Sequence, residues 1–342
     1  MQRTRSIRCI DPGVHHQFSA TAAHDVGSGV TSAAHSARRL GLVLHPGRDC
    51  GPPVETVVAW ARSHGARVLA RPEDAARCPE GVQAAAPDEL AATVNAIVSL
   101  GGDGTMLGAL RLAAARPVPV LGVNLGDLGF LVEVGHDELP AALDRLATGD
   151  FTIETHHGLE VRGPRGSWVA FNDVALARVP GAGAVRAALS ISGRGHGRYR
   201  ADAVIVATPL GSSAYSYAAG GPLVSPALEA LVISAAAPMS GISRALVVSA
   251  DEPLRLEVLP RSGPPALEID GSVHGRIAPG EHIDLRLRPD AAKVVRLDSD
   301  RYQRRNQVKL SLLDLPFLPD ELRSVFSSPS GQDHDAEQRP RG

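Results

Sequence analysis

Lysine is almost absent from this 342-residue chain: Lys293 and Lys309 are its only two, and every other basic residue is arginine. A lysine-dependent site is therefore excluded from everything before Lys293. Nor does one charge dominate. Lys+Arg 35 against Asp+Glu 37 leaves a net charge of -2, which excludes the broad cationic face that attracts nucleic acid or anionic lipid. An anionic ligand must be met by local groups instead. Three cysteines, Cys9, Cys50 and Cys78, are too few and too scattered for a disulfide framework, and none stands in a metal-ligand spacing. A reducing compartment fits them best. No stretch approaches the ~20 apolar residues of a membrane span, and the N-terminus lacks the apolar core of a signal peptide. A cytoplasmic protein with neither a membrane nor a nucleic-acid partner is expected.

What is present is the profile of a globular chain, 44% hydrophobic and long enough for about two domains. Residues 1–37 are rich in Ser, Ala, Arg, His and Gly without periodicity and read as a flexible extension whose histidines have no metal spacing; residues 327–342 read as a disordered tail. From residue 38 to 149 strands alternate with helices. Leu40–Leu44, Val68–Ala70, Thr93–Leu100 and Pro117–Val123 read as strands, and Val54–His64, Met106–Ala115 and Asp137–Ala147 as helices. That alternation predicts an α/β domain with an open parallel sheet. From 150 to 300, β-branched and alternating runs recur between Gly/Pro breaks, among them Phe151–Thr155, Val204–Thr208, His282–Leu287 and Val294–Leu297, predicting an all-β, sandwich-like domain. Residues 301–326 are expected to return to the first domain.

Four motifs carry chemistry. Gly101-Gly102-Asp103-Gly104-Thr105 follows an apolar strand and opens a helix, where bare N–H groups and a partial positive charge favour phosphate. Glycines let the backbone approach the ligand closely. Asp103 repels a phosphate, so it must serve something else, such as taking a proton from an attacking hydroxyl or holding Mg²⁺. A plain helix cap would explain one Asp and one Gly, not three glycines around a carboxylate. Neither a Walker A motif nor a full G-x-G-x-x-G is present, which disfavours a P-loop enzyme and a nicotinamide dehydrogenase. Asn124-Leu125-Gly126-Asp127-Leu128-Gly129-Phe130-Leu131 brackets a tight turn, and Phe130 offers either a flat apolar face for a base or a residue of the domain core. Asn172-Asp173 suits a ribose diol or a base edge, although the dipeptide on its own is more often a plain turn. Arg200, Asp202 and the small, polar run Thr208–Pro222, which includes Ser213, Ala214, Tyr215, Ser216, Tyr217 and Ala218, read as backbone kept open for a ligand.

Together these motifs, in this order and spacing, resemble the NAD kinase family over about Arg39 to Leu315. GGDGT alone is shared with diacylglycerol, sphingosine and phosphofructo-type kinases; the 208–222 segment and NLGxLGFL are more selective. The resemblance implies an α/β domain followed by a β-sandwich. It also implies transfer of the γ-phosphoryl of ATP, or of polyphosphate, to the 2′-hydroxyl of the adenosine ribose of NAD. A divalent cation such as Mg²⁺ and a homodimer or homotetramer are implied too. Asp103 then matches the proton acceptor, flanked by Gly101, Gly102, Gly104 and Thr105. Asn172, Asp173, Arg200, Asp202 and Ser213 to Ala218 match dinucleotide contacts, with Asn124 and Phe130 beside them. No protein metal ligands are assigned. Arg111 and Arg200 are the arginines nearest to hand for the charge that an absent lysine would balance.

The chain departs from the family pattern at several positions. Leu210 and Ser213 stand where Thr is common, Ala218 where Ser is, Asp173 where Glu is, and Ala203 where Gly is; residues 238–242 lack a Cys-Pro-His. These bear on affinity for NAD and on the choice between NAD and NADH. Two other readings remain at this point: a lipid or sphingoid-base kinase, and a catalytically silent dinucleotide sensor.

Overall fold

The structure is a computed structural model that describes residues 38–126 and 131–298. The expectations for residues 1–37, 301–326, 327–342 and Phe130 fall outside the described residues. The first half holds five parallel strands, β1 (Arg39–Leu44), β2 (Arg67–Ala70), β3 (Val82–Ala84), β4 (Ala96–Gly101) and β5 (Pro119–Asn124), in the order β5-β4-β1-β2-β3. Helices α1 (Gly51–Ser63), α2 (Pro72–Ala75), α3 (Pro87–Thr93), α4 (Asp103–Ala113) and α5 (Leu139–Thr148) make or flank the crossovers. Strand residues alternate between two apolar layers. Leu40, Leu42, Val98 and Leu100 pack with α1 and α5, while Val43 and Ile97 pack with α3 and α4. A sheet covered on both faces leaves no row open to water, which is why β4 is buried throughout and apolar but for Ser99 and the terminal Gly101. The strand expected to start at Thr93 starts at Ala96, because Thr93 closes the short helix α3.

A two-residue β6 (Val134–Gly135) adds to β5. The remaining strands are β7 (Thr152–Gly163), β8 (Gly166–Ala170), β9 (Asp173–Ala177), β10 (Val185–Ile191), β11 (Arg194–Ala201), β12 (Ala203–Ala207), β13 (Ala230–Ala236), β14 (Ser240–Gly241), β15 (Leu246–Ser249), β16 (Leu254–Val258), β17 (Ala266–Ile269), β18 (Ser272–Arg276) and β19 (His282–Arg296). Six of them form an antiparallel sheet in the order β15-β13-β12-β9-β17-β18. Its inward residues Val174, Leu176, Val204, Val206, Leu231 and Ile233 meet Leu159, Leu189, Leu256 and Leu285 of the larger sheet in one core, the sandwich the pattern predicts. The other face of the sheet, Ala175, Ala177, Ala203 and Ile205, is covered by Tyr215 and Ala219. The small-residue segment is thus a 3₁₀ turn at Leu210–Ser213 and a short helix α6 (Tyr215–Ala218), laid over β9 and β12.

The expected strands 282–287 and 294–297 are one strand. β19 continues through a bulge between Arg288 and Ala292, where Pro289 and the left-handed Asp290 (φ 48) break the alternation. Its end pairs in parallel with β5, Lys293 with Pro119 and Val294 with Val120. The parallel and antiparallel regions therefore share a 13-stranded sheet. Among the described residues no helix is long and apolar enough to cross a membrane.

Candidate active site

β4, β1 and β5 run in parallel, so their carboxyl ends share one edge, where ligands of such sheets bind. GGDGT stands there. Gly101 ends β4, Gly102 is the extended cap residue (φ -107, ψ -163) with no side-chain cap bond, and Asp103 is the first residue of α4. The cap reading of Asp103 therefore does not apply: its Oδ1 instead accepts the Leu131 N–H at 2.9 Å, from the segment after β5. A Cβ at Gly101 would lie 2.2 Å from Thr105 Oγ1, so no side chain fits there. At Gly102 and Gly104 a Cβ would meet nothing within 4 Å, because both face open space. That space is a cleft of about 390 Å³ lined by His45, Pro46, Arg48, Gly102, Gly104, Thr105 and Asn124. Thr105 Oγ1 is buried beside it with no hydrogen-bond partner among the described residues.

Arg48 is a residue the sequence reading passed over. Its Nη1 donates to Leu125 O at 2.8 Å, and its guanidinium lies so close over Gly126 that a Cβ there would fall 1.3 Å from Nη1. The loop that carries it is clamped: Arg77 donates to the carbonyls of His45 and Arg48, both at 2.9 Å, and His45 Nδ1 accepts the N–H groups of Gly47 and Arg48. The available signal was a basic residue in the turn after an apolar strand at the binding edge. Arg111, by contrast, is engaged elsewhere, its Nη1 2.8 Å from Oδ2 of the fully buried Asp270.

Asp270 organises the second half of the site. Its Oδ1 accepts the N–H groups of Phe171, Asn172 and Asp173 at 3.0, 2.7 and 3.2 Å, fixing the corner between β8 and β9. The 208–218 segment docks on the same corner. Thr208 N–H donates to Asn172 O, the Thr208 hydroxyl donates to Phe171 O, and a Cβ at Gly211 would lie 2.0 Å from Asn172 O. The Tyr215 backbone N–H favours the charged form of the Asp173 carboxylate, against the larger effect of burial. Asp173 is pushed up to about 7, by burial first and then by the charges of Asp270 and Glu268. The Tyr215 hydroxyl is raised by burial first and then by the charges of Glu268, Asp173 and Asp202. Asp202 also pairs with Arg178 at 2.9 Å.

Not every expected contact residue faces this space. Ser216 is buried and bonded to Ser234 Oγ at 2.9 Å, and the Ser213 hydroxyl donates back to Leu210 O. Ala214, Tyr217 and Ala218 follow along the same short helical segment, with Ala218 exposed. Arg200 lies on β11 in a different cleft, with Arg186 and Arg198, opposite Ser240 of β14. Asn124 stands opposite Gly101 and accepts the Gly126 N–H at 3.2 Å. The two halves of the site meet in the core, where Met106, Leu107 and Leu110 of α4 cluster with Phe171, and Leu210 packs against them.

Asp173 makes a testable contribution. A carboxyl whose folded value is raised loses stability as pH climbs from the unfolded value near 4 through about 7, because only the unfolded chain ionises freely in that window. Thermal melts should therefore show Asp173→Asn gaining on the wild type between pH 5 and 8. A constant difference across that range would contradict the burial of this charge.

A glycine-rich turn with an acidic first residue, at the carboxyl edge of a parallel sheet and packed against a polar corner of a β-sandwich, is the arrangement of a nucleotide-handling phosphotransferase. The chain belongs to the ATP-NAD kinase family: the family's N-terminal domain model matches residues 57–151 and its C-terminal domain model residues 171–297. The chain is 34% identical to NAD kinase 1 of Streptomyces avermitilis, over 81% of this chain and 88% of that protein. It is 36% identical to the NAD kinase of Symbiobacterium thermophilum, over 75% and 93%. Two solved structures share the fold. They are yeast NADH kinase complexed with NADH (TM-score 0.70, 23% identity, 83% of this chain and 90% of that one) and an NAD kinase from Archaeoglobus fulgidus in complex with ATP (0.61, 24%, 80% and 98%).

Proposed function

We propose that this chain transfers the γ-phosphoryl of ATP to the 2′-hydroxyl of the adenosine ribose of NAD, giving NADP. One observation carries the reading: the Asp103 carboxylate, held by Leu131, opens α4 between two glycines whose α-carbons face an open cleft. A ribose hydroxyl is a poor nucleophile near neutrality, and phosphoryl transfer needs it held in line while the charge on the moving group is neutralised. Asp103 takes the proton as the oxygen attacks. The first turn of α4 supplies N–H groups and a partial positive charge for the phosphates. The corner at Asn172–Asp173, with Asp202 and Tyr215, offers hydrogen-bonding groups for ribose hydroxyls.

The resemblance also implies Mg²⁺. Among the described residues no three His, Cys, Asp or Glu side chains cluster to hold an ion. The Thr105 hydroxyl, buried beside the cleft without a partner among the described residues, instead fits one that arrives on the donor's phosphates. Bound there, the ion would neutralise phosphate charge. Assembly into a homo-oligomer and a cytoplasmic location belong to the same reading. Arg186, Arg198 and Arg200 share a cleft and form no ion pair among the described residues, which supports a face that meets phosphates or a neighbouring subunit.

Arg48 takes the place of the missing lysine in this reading. Arg48→Gln should raise the KM for ATP by about tenfold, the loss of one charge-assisted contact, while calorimetry shows NAD binding unchanged. Unaltered ATP kinetics would remove Arg48 from the donor site. The function itself is tested by incubating the purified chain with ATP, Mg²⁺ and NAD and coupling product to an NADP-specific dehydrogenase. NADP is the expected product. Binding of NAD without NADP formation from ATP or polyphosphate would favour a sensor, and phosphorylation of diacylglycerol but not NAD a lipid kinase.

A further inference from the structure

Asp270 touches neither the glycine-rich cleft nor its lining, yet its carboxylate is met by four donors. It stands at the first of the two central positions of the β17–β18 hairpin. There Asp270 (φ 46) and Gly271 (φ 77) both take left-handed backbone, and Ile269 pairs with Ser272. The tight turn drives the side chain inward rather than into solvent, and its accessible surface is 0%. One oxygen accepts from the N–H groups of Phe171, Asn172 and Asp173, and the other meets Arg111 Nη1 at 2.8 Å. The Asp270 N–H in turn donates to Asp173 O at 2.9 Å, so corner and hairpin hold each other from both sides.

Arg111 lies on α4, two turns along the same rigid helix from Asp103. The Asp270 carboxylate is therefore the polar bridge between the helix that carries the proton acceptor and the corner that offers Asn172 and Asp173. A buried carboxylate is costly unless paired and hydrogen-bonded. Here it has four donors, and all of them lie on the two elements whose relative placement decides where a sugar oxygen meets Asp103. Other charged and titratable groups near the bridge are Asp173 and His274, whose imidazole is shifted down by burial and by Arg111.

We infer that Asp270 and Arg111 form a positioning pair, a strut that sets the acceptor-binding corner against the Asp103 helix; the inference rests on the kinase reading above. Phosphoryl transfer is sensitive to such placement, a misalignment of about 1 Å costing on the order of 10²-fold in rate. A strut that only stabilised the fold would lower the melting temperature and leave the kinetics of the folded enzyme alone.

The test uses the full chain, assayed well below its melting temperature with ATP and NAD varied separately. Arg111→Gln leaves Asp270 its three N–H donors and removes only the link to α4. It should lower kcat by at least about tenfold with the KM for ATP unchanged. Arg111→Lys, which keeps one cationic donor for the single bond observed, should recover most of that loss. Asp270→Asn, which weakens both ends of the strut, should lower kcat further and raise the KM for NAD. Should Asp270→Asn fail to fold, the two Arg111 variants decide the matter alone. A wild-type kcat in Arg111→Gln would overturn the inference, as would equal losses in the glutamine and lysine variants. A wild type that makes no NADP would instead refute the kinase reading on which the strut depends.

Discussion

Arg296→Met should destabilise the protein by about 3–5 kcal/mol, the usual consequence of removing one partner from a buried ion pair. Arg296 is 4% exposed; its Nη1 lies 3.0 Å from Glu133 Oε2 and its Nε 2.6 Å from Glu154 Oε2. Glu133 is itself 2% exposed and also accepts the N–H groups of Leu297 and Asp298. Methionine fills much of the volume but leaves Glu133 without its cation. At about 2–4 °C per kcal/mol, the melting temperature should fall by roughly 6–20 °C. Activity is tied to the same residue, because Arg296 Nη1 also donates to Leu131 O at 3.1 Å, and the Leu131 N–H is what holds Asp103. A melting temperature within a degree or two of the wild type would show that the buried network does not hold β19 to the segment after β5.

Asp103→Asn should lower kcat by 10² to 10⁴-fold, the range typical of a lost general base and equivalent to about 3–5 kcal/mol of barrier. The substitution is informative because it removes the ionisable group with almost no change in side-chain size. The carboxamide oxygen still accepts the Leu131 N–H, the helix still begins after Gly102, and the bare glycines still face the cleft. NAD affinity by calorimetry and the melting temperature should both remain near wild type. Retained turnover would remove Asp103 from the chemistry. Lost turnover together with lost NAD affinity would make it a binding residue instead.

The sequence exposed the local parts of this arrangement and hid the distant ones. GGDGT was legible because an apolar strand covered on both faces must be followed by a turn, and three glycines around a carboxylate exceed what a cap requires. The corner at Asn172–Asp173 and the 208–222 segment were legible as polar, glycine-rich interruptions among β-branched runs. Arg48 was not, since its role depends on the Leu125 carbonyl, 77 residues away. Asp270 escaped for the same reason, its partner Arg111 standing 159 residues earlier. The Asp-Gly dipeptide at 270–271 is a hairpin signal that went unused in the sequence reading, and nothing local shows that its carboxylate turns inward. Pro289 and Asp290 disguised β19 as two strands, because a bulge interrupts alternation without ending the hydrogen-bonded ladder. Arg111 looked available for phosphate because its ion pair is formed across the fold rather than along the chain.

The measurement that bears most directly on the account is a crystal structure of Asp103→Asn with NAD and a non-transferable ATP analogue bound together. The account predicts the adenosine 2′-oxygen within about 2.6–3.2 Å of the side chain at position 103, with the terminal phosphate of the analogue on the opposite side of that oxygen. A 2′-oxygen bonded to another residue, with the side chain at 103 turned towards neither ligand, would contradict it.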